Sequence, residues 1–221
     1  MSSEHDRRTF IAAVASVTGL VAAGAPPAPL LAQGQARGAA AAPAADFDLG
    51  WFDGMKGRHK QAFDYGSWDL SVDAQPFRFV RNYLDSHRDV SKLESPDVNT
   101  AVGISRPAFP VNVSSDIWQK YKLGEHFKID DPRTGKPAER NFILEDANYG
   151  VRVLQARGTV FWQCNVALFA VASELARAFG RQAQDVRTEL IAGFNPGVKL
   201  QPSHMWAIGT AQEHGFAYMK A

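Results

Sequence analysis

From residue 58 onwards, apolar positions fall in short blocks. Their spacing switches between a period of two and one of about 3.6, the pattern of strands interleaved with helices. "RHKQAFDYG" (58–66) centres a first strand on Ala62 and Phe63, and "DVNTAVGIS" (97–105) is a β-branched run between turn residues. "TVFWQC" (159–164) is a largely apolar run, as expected of a strand buried on both faces. "PGVKLQP" (196–202) and "FAYMK" (216–220) supply two shorter strands. Between them lie helical stretches. In "FRFVRNYLDSHR" (77–88), Phe77, Val80, Tyr83 and Leu84 share one face. "SSDIWQKYKLG" (114–124) opens on Ser and Asp and is expected to stop at Gly124. A helix over 142–157 carries Leu144, Ala147, Val151 and Leu154 and stops at Gly158. "NVALFAVASELARAFG" (165–180) ends on Gly180, "DVRTELIAGF" (185–194) begins at Asp185, and "SHMWAIGTAQEHG" (203–215) follows Pro202. "DDPRTGKPAERN" (130–141) reads as an exposed loop. The alternation predicts an α/β fold with a mostly parallel sheet of about five strands, covered on both faces.

The amino-terminal segment follows different rules. "DRRTFIAAVASVTGLVAAG" (6–24) places Arg7 and Arg8 before a moderately apolar, Ala-rich run that Pro26, Pro27 and Pro29 terminate. Paired arginines, a short apolar region and small residues describe a twin-arginine export signal. The run is too short for a membrane span, which takes about 20 strongly apolar residues. We therefore expect residues 1–45 to be a signal and flexible lead-in, residues 46–221 to be one domain, and the mature protein to be periplasmic with no stable membrane span. The chain has 24 basic and 23 acidic residues; Arg7, Arg8, Arg37, Glu4 and Asp6 belong to the lead-in, which leaves 21 of each. A domain without net charge lacks the basic field of a nucleic-acid binder. One cysteine, Cys164, excludes an internal disulfide.

That cysteine stands between a predicted strand and a predicted helix. In a parallel α/β sheet, ligands bind beyond the carboxyl ends of the strands, where loops enter helix N-termini. The unpaired amides of such a terminus favour a thiolate over a thiol, which suits attack on sulfur. The opposite reading is also open, because Phe161, Trp162 and Phe169 flank the thiol and free cysteines are often buried and inert. Asn165 either caps the following helix or donates to the sulfur. His59 at the first strand and His204 at the last helix are candidate neighbours of the thiol. A set of Cys164, His204 and Met205 would suit a soft metal, yet the histidines lack the spacing of a metal motif, and neither a metal nor a cofactor is expected. G-x-S-x-G, G-x-x-x-x-G-K-[ST] and G-x-G-x-x-G are absent, which removes a hydrolase elbow and nucleotide loops from consideration.

Gly158, Cys164, Pro196-Gly197-Val198 and the closing run from Gln212 through Gly215 and Phe216 to Tyr218 resemble the DsrE/DsrF-like sulfur-relay family, in a twin-arginine-exported branch. The resemblance covers about residues 55–221. It implies a flavodoxin-like three-layer sandwich, a homo-oligomer, and a sulfur-carrying persulfide at Cys164 that exchanges with a donor or acceptor protein or a small sulfur compound. One departure bears on the pocket: family members carry a small Pro-Ala-Gly segment where this chain has Pro202-Ser203-His204-Met205-Trp206. The alternative is a non-catalytic periplasmic binding or assembly protein in which Cys164 is core packing.

Overall fold

The computed structural model describes residues 47–67, 69, 75 and 77–221; the export signal expected at the amino terminus lies outside them. Five strands form one sheet: β1 (His59–Tyr65), β2 (Val98–Ile104), β3 (Thr159–Cys164), β4 (Lys199–Gln201) and β5 (Ala217–Lys220). Their order is β4-β3-β2-β1-β5 and every pairing is parallel. The chain steps from β1 to β4 in one direction, then returns across the sheet to place β5 beside β1. Right-handed crossovers force a reversal of direction to go with a change of face. The final crossover helix therefore lies on one face, shared with the single-turn helix that precedes β1, and the other crossover helices cover the opposite face.

Strand alternation sorts the side chains accordingly. Phe63, Tyr65, Val102, Ile104 and Phe161 enter the larger core, together with Val80 and Leu84 of α2 (Arg78–Ser86) and Leu168, Val171 and Leu175 of α6 (Asn165–Phe179). Ala62, Ala101 and Trp162 face the opposite way, against Ala207, Ile208 and Ala211 of α8 (His204–Glu213) and Trp51 and Phe52 of the single-turn α1 (Trp51–Gly54). All seven residues of β2 are buried, as a central strand covered on both faces requires. The result is a three-layer α/β sandwich of the flavodoxin-like kind. No helix among the described residues is long and apolar enough to cross a membrane.

Two helices differ from the sequence expectation. The one expected to stop at Gly124 is interrupted earlier, into α3 (Ser115–Lys120) and α4 (Leu123–Phe127), by Lys122 in the left-handed region (φ 46°). Gly124 sits inside α4 because a Cβ there would lie 2.2 Å from the backbone oxygen of Ala138. The glycine permits close packing rather than termination. The helix expected over 142–157 shrinks to α5 (Val151–Ala156). Upstream, the Asp146 carboxylate accepts the amides of Asn148 and Tyr149, a local bond that competes with helix formation. The remaining helix, α7 (Ala183–Ala192), begins two residues before Asp185. Its Glu189 accepts from Tyr121 and Arg181 and pairs with Lys120, tying α7 to the α3 region. Burial and the Glu189 carboxylate push the Tyr121 phenol up to about 12.

Gly124→Ala separates the two roles of that residue. On an exposed helix the change would stabilise by about 1 kcal/mol. Here we expect a lower melting temperature than wild type, measured by thermal circular dichroism.

Candidate functional site

β3 ends in a thiol that is also a helix cap. Cys164 is extended (φ −68°, ψ 120°), and its Sγ accepts the amide of Ala167 at 3.3 Å in the first turn of α6. The cap is thus the cysteine itself rather than Asn165. The Oδ1 of Asn165 instead accepts from Arg187 Nη2 at 2.6 Å, which ties α6 to α7. Cys164 is only 4% exposed, yet it lines an open cleft of about 470 Å³ at the carboxyl ends of the strands. Val166 beside it is 64% exposed, so the sulfur lies just beneath the surface and not in the aromatic core.

The same cleft is lined by Asp64 at the end of β1, His204 at the start of α8 and Tyr218 on β5. These three form one hydrogen-bonded group. Asp64 Oδ1 lies 2.6 Å from His204 Nε2 and accepts the amide of Gly66 at 2.7 Å; Oδ2 accepts the hydroxyl of Tyr218 at 2.9 Å. Burial pushes the Asp64 carboxyl up, but the bonds from Gly66, His204 and Tyr218 outweigh it and hold the group below its ordinary value of 3.8. The same bond to Asp64 raises the Tyr218 phenol above its ordinary value. Ser203 caps α8 by accepting the amide of Trp206 at 3.2 Å, which orients the turn that carries His204.

Two glycines make room for the imidazole. A Cβ on Gly66 would lie 2.5 Å from His204 Nε2, and one on Gly103 would lie 2.8 Å from His204 Cε1 and 2.4 Å from the Trp162 ring. Neither position tolerates a side chain while His204 keeps its place.

Of the residues singled out from sequence, the structure brings Cys164 and His204 to one cleft. Met205 lines it as well, but among the described residues no group of three or more His, Cys, Asp or Glu side chains is placed to hold a metal ion. His59 is a correction. It begins β1, and in a parallel sheet that end is remote from the carboxyl-end cleft by the length of the strand, roughly 20 Å for seven residues. There its ring packs at a tilt of 40° against His87 with ring centroids 4.5 Å apart, and burial and the neighbouring His59 hold His87 below its ordinary value. Asp64 was missed. Its signal is local: an acid in "QAFDYG", directly after the buried run Gln61-Ala62-Phe63 and one residue from the end of the strand.

The lowered Asp64 carboxyl makes stability depend on pH. Its contribution is present above the ordinary value of 3.8 and is lost as the pH falls through the lowered folded-state value. Asp64→Asn is expected to flatten the acid limb of a stability-versus-pH curve obtained by urea denaturation; an unchanged limb would show that the bonds to Asp64 contribute nothing in solution.

No protein-family model and no curated protein matches the chain. Among solved structures, a protein of unknown function from Methanobacterium thermoautotrophicum is similar over 74% of this chain and 99% of its own, at 18% identity and a TM-score of 0.39.

Proposed function

We propose that the protein is a periplasmic sulfur carrier, exported by the twin-arginine route, in which Cys164 accepts a sulfur atom, holds it as a persulfide and passes it on. The supporting observation is the position of the thiol. It caps a 15-residue helix, with an amide donating to its sulfur, at the edge of an open cleft. Backbone amides and a helix N-terminus are the environment in which anionic sulfur is stabilised. An imidazole, that of His204, lines the same cleft as the thiol, so a proton acceptor is present in it. Transfer needs no second cysteine in this chain, because the partner thiol belongs to the donor or acceptor. The resemblance of the strand-Cys-helix segment to DsrE/DsrF-like sulfur-relay proteins points the same way, and extends the proposal to a homo-oligomer that exchanges sulfur with a partner protein or a small sulfur compound.

Incubation of the folded protein with polysulfide, followed by peptide mass spectrometry, tests the reading. The expected result is a gain of about 32 Da, one sulfur atom, on the Cys164 peptide, absent from Cys164→Ser. No gain, together with a thiol that resists alkylation until the protein is unfolded, would overturn it. Cys164 would then serve as a helix cap and packing residue of a binding or assembly protein.

A further inference from the structure

Asp64 and Cys164 lie at the carboxyl ends of β1 and β3, and β2 runs between them. Two interstrand spacings, about 10 Å, separate the strands that carry them. The imidazole of His204 occupies that interval. Its Cε1 rests against Gly103 of β2, and its Nε2 lies 2.6 Å from Asp64 Oδ1. The other ring nitrogen, Nδ1, is on the side of the ring away from Asp64. It has no hydrogen-bond partner among the described residues, although His204 is only 6% exposed. Buried polar atoms are nearly always satisfied, so an unpartnered ring nitrogen beside a cleft needs an explanation. With Nε2–H committed to a carboxylate, Nδ1 carries the lone pair and is the basic end of the ring. A carboxylate that fixes the tautomer of an imidazole serving a nucleophile is the logic of hydrolytic triads, here laid across three neighbouring strands.

We propose that Asp64, His204 and Cys164 form a carboxylate–imidazole–thiol relay, in which Asp64 positions His204 and His204 carries the proton that sulfur transfer must move. The relay rests on the sulfur-carrier reading above. His204 Nδ1, which is not hydrogen-bonded to Cys164 Sγ in this structure, takes the proton of the thiol through one bridging water of the cleft, and the thiolate attacks the outer sulfur of a small persulfide, R–S–SH. A new S–S bond forms to Cys164 as the S–S bond of the donor breaks. RS⁻ leaves with the electron pair and receives the proton from His204. The products are Cys164–S–SH and RSH, so atoms and charge balance without an added oxidant or reductant. Tyr218 supports the relay from β5 by donating to the second oxygen of Asp64. The titratable groups that line the cleft around His204 are Asp64, Cys164, Tyr218 and Lys220.

The test measures the rate of Cys164 alkylation by iodoacetamide against pH, and separately the rate of sulfur uptake from cysteine persulfide, in wild type, Asp64→Asn and His204→Gln. Melting temperatures confirm that each variant is folded. Asp64→Asn is isosteric and retains an acceptor for Gly66, so it carries the test even if His204→Gln does not fold. If His204 carries the thiol proton, Asp64→Asn should shift the pH profile of alkylation, His204→Gln should remove the dependence on the imidazole, and sulfur uptake should fall by about 100-fold in the latter. Folded variants with the wild-type profile and rates would overturn the relay and leave the carrier reading intact. Absence of added sulfur in every form, with the alkylation profile still moved by the variants, would overturn the carrier reading and support the coupling of imidazole and thiol.

Discussion

A carboxylate on a nearly buried strand has to be satisfied by donors, and the donors of Asp64 come from three separate parts of the chain. Gly66 contributes an amide from the turn that follows β1, His204 an imidazole from the start of α8, and Tyr218 a hydroxyl from β5. Two of these partners lie 140 and 154 residues along the chain from Asp64. They reach it only because the last crossover returns over the opposite face of the sheet and sets β5 beside β1. The bond network at Asp64 therefore joins the first strand to the final crossover at the place where the cleft opens. A charge held by several donors in a partly dry setting is stronger than the same contacts in water. It is also intolerant of a missing partner.

The thiol is placed by a different device. Asn, Asp and Ser are the best helix caps, and sulfur is a weak acceptor by comparison. A cap chosen for stability alone at position 164 would be an oxygen acceptor, as Ser203 is on α8. The cleft carries a second feature that stability does not account for: His204 Nδ1 is buried without a hydrogen-bond partner among the described residues. An unsatisfied polar atom at a cleft is the kind of local conflict that functional sites carry.

Much of the architecture is readable from the periods of the apolar residues. "TVFWQC" and "NVALFAVASELARAFG" are long enough, and bounded sharply enough, to fix β3 and α6 and so to fix Cys164 at the rim. Where reading failed, a tertiary contact overrode a local signal. Gly124 carries the composition of a helix stop but is buried against the backbone of Ala138. Leu144 and Ala147 continue a helical spacing, but Asp146 turns the chain there by accepting two nearby amides. The site itself was half legible. Cys164 and His204 announce themselves by residue type and position, whereas Asp64 is one acid among 23 until the fold brings Tyr218 and His204 to it. His59 misled although its place was legible: it opens the first predicted strand, and that amino-end position already sets it opposite a cleft that forms at the carboxyl ends.

What lets the imidazole span from one outer strand of this trio towards the other is an absence of side chains. On the α8 face, β1 and β2 present Ala62, Ala101 and then Gly103, while β3 presents the full indole of Trp162. Glycine inside a strand weakens it, because it adds backbone entropy and packs nothing. In β2 that loss is offset by the rings of Trp162 and His204, which occupy the volume a side chain would need. The small residues bring α8 close to the sheet, and the gap at Gly103 gives His204 a path over β2 to Asp64. The geometry of the cleft is thus set less by the side chains that line it than by Gly66 and Gly103, where nothing larger than hydrogen fits while His204 keeps its place.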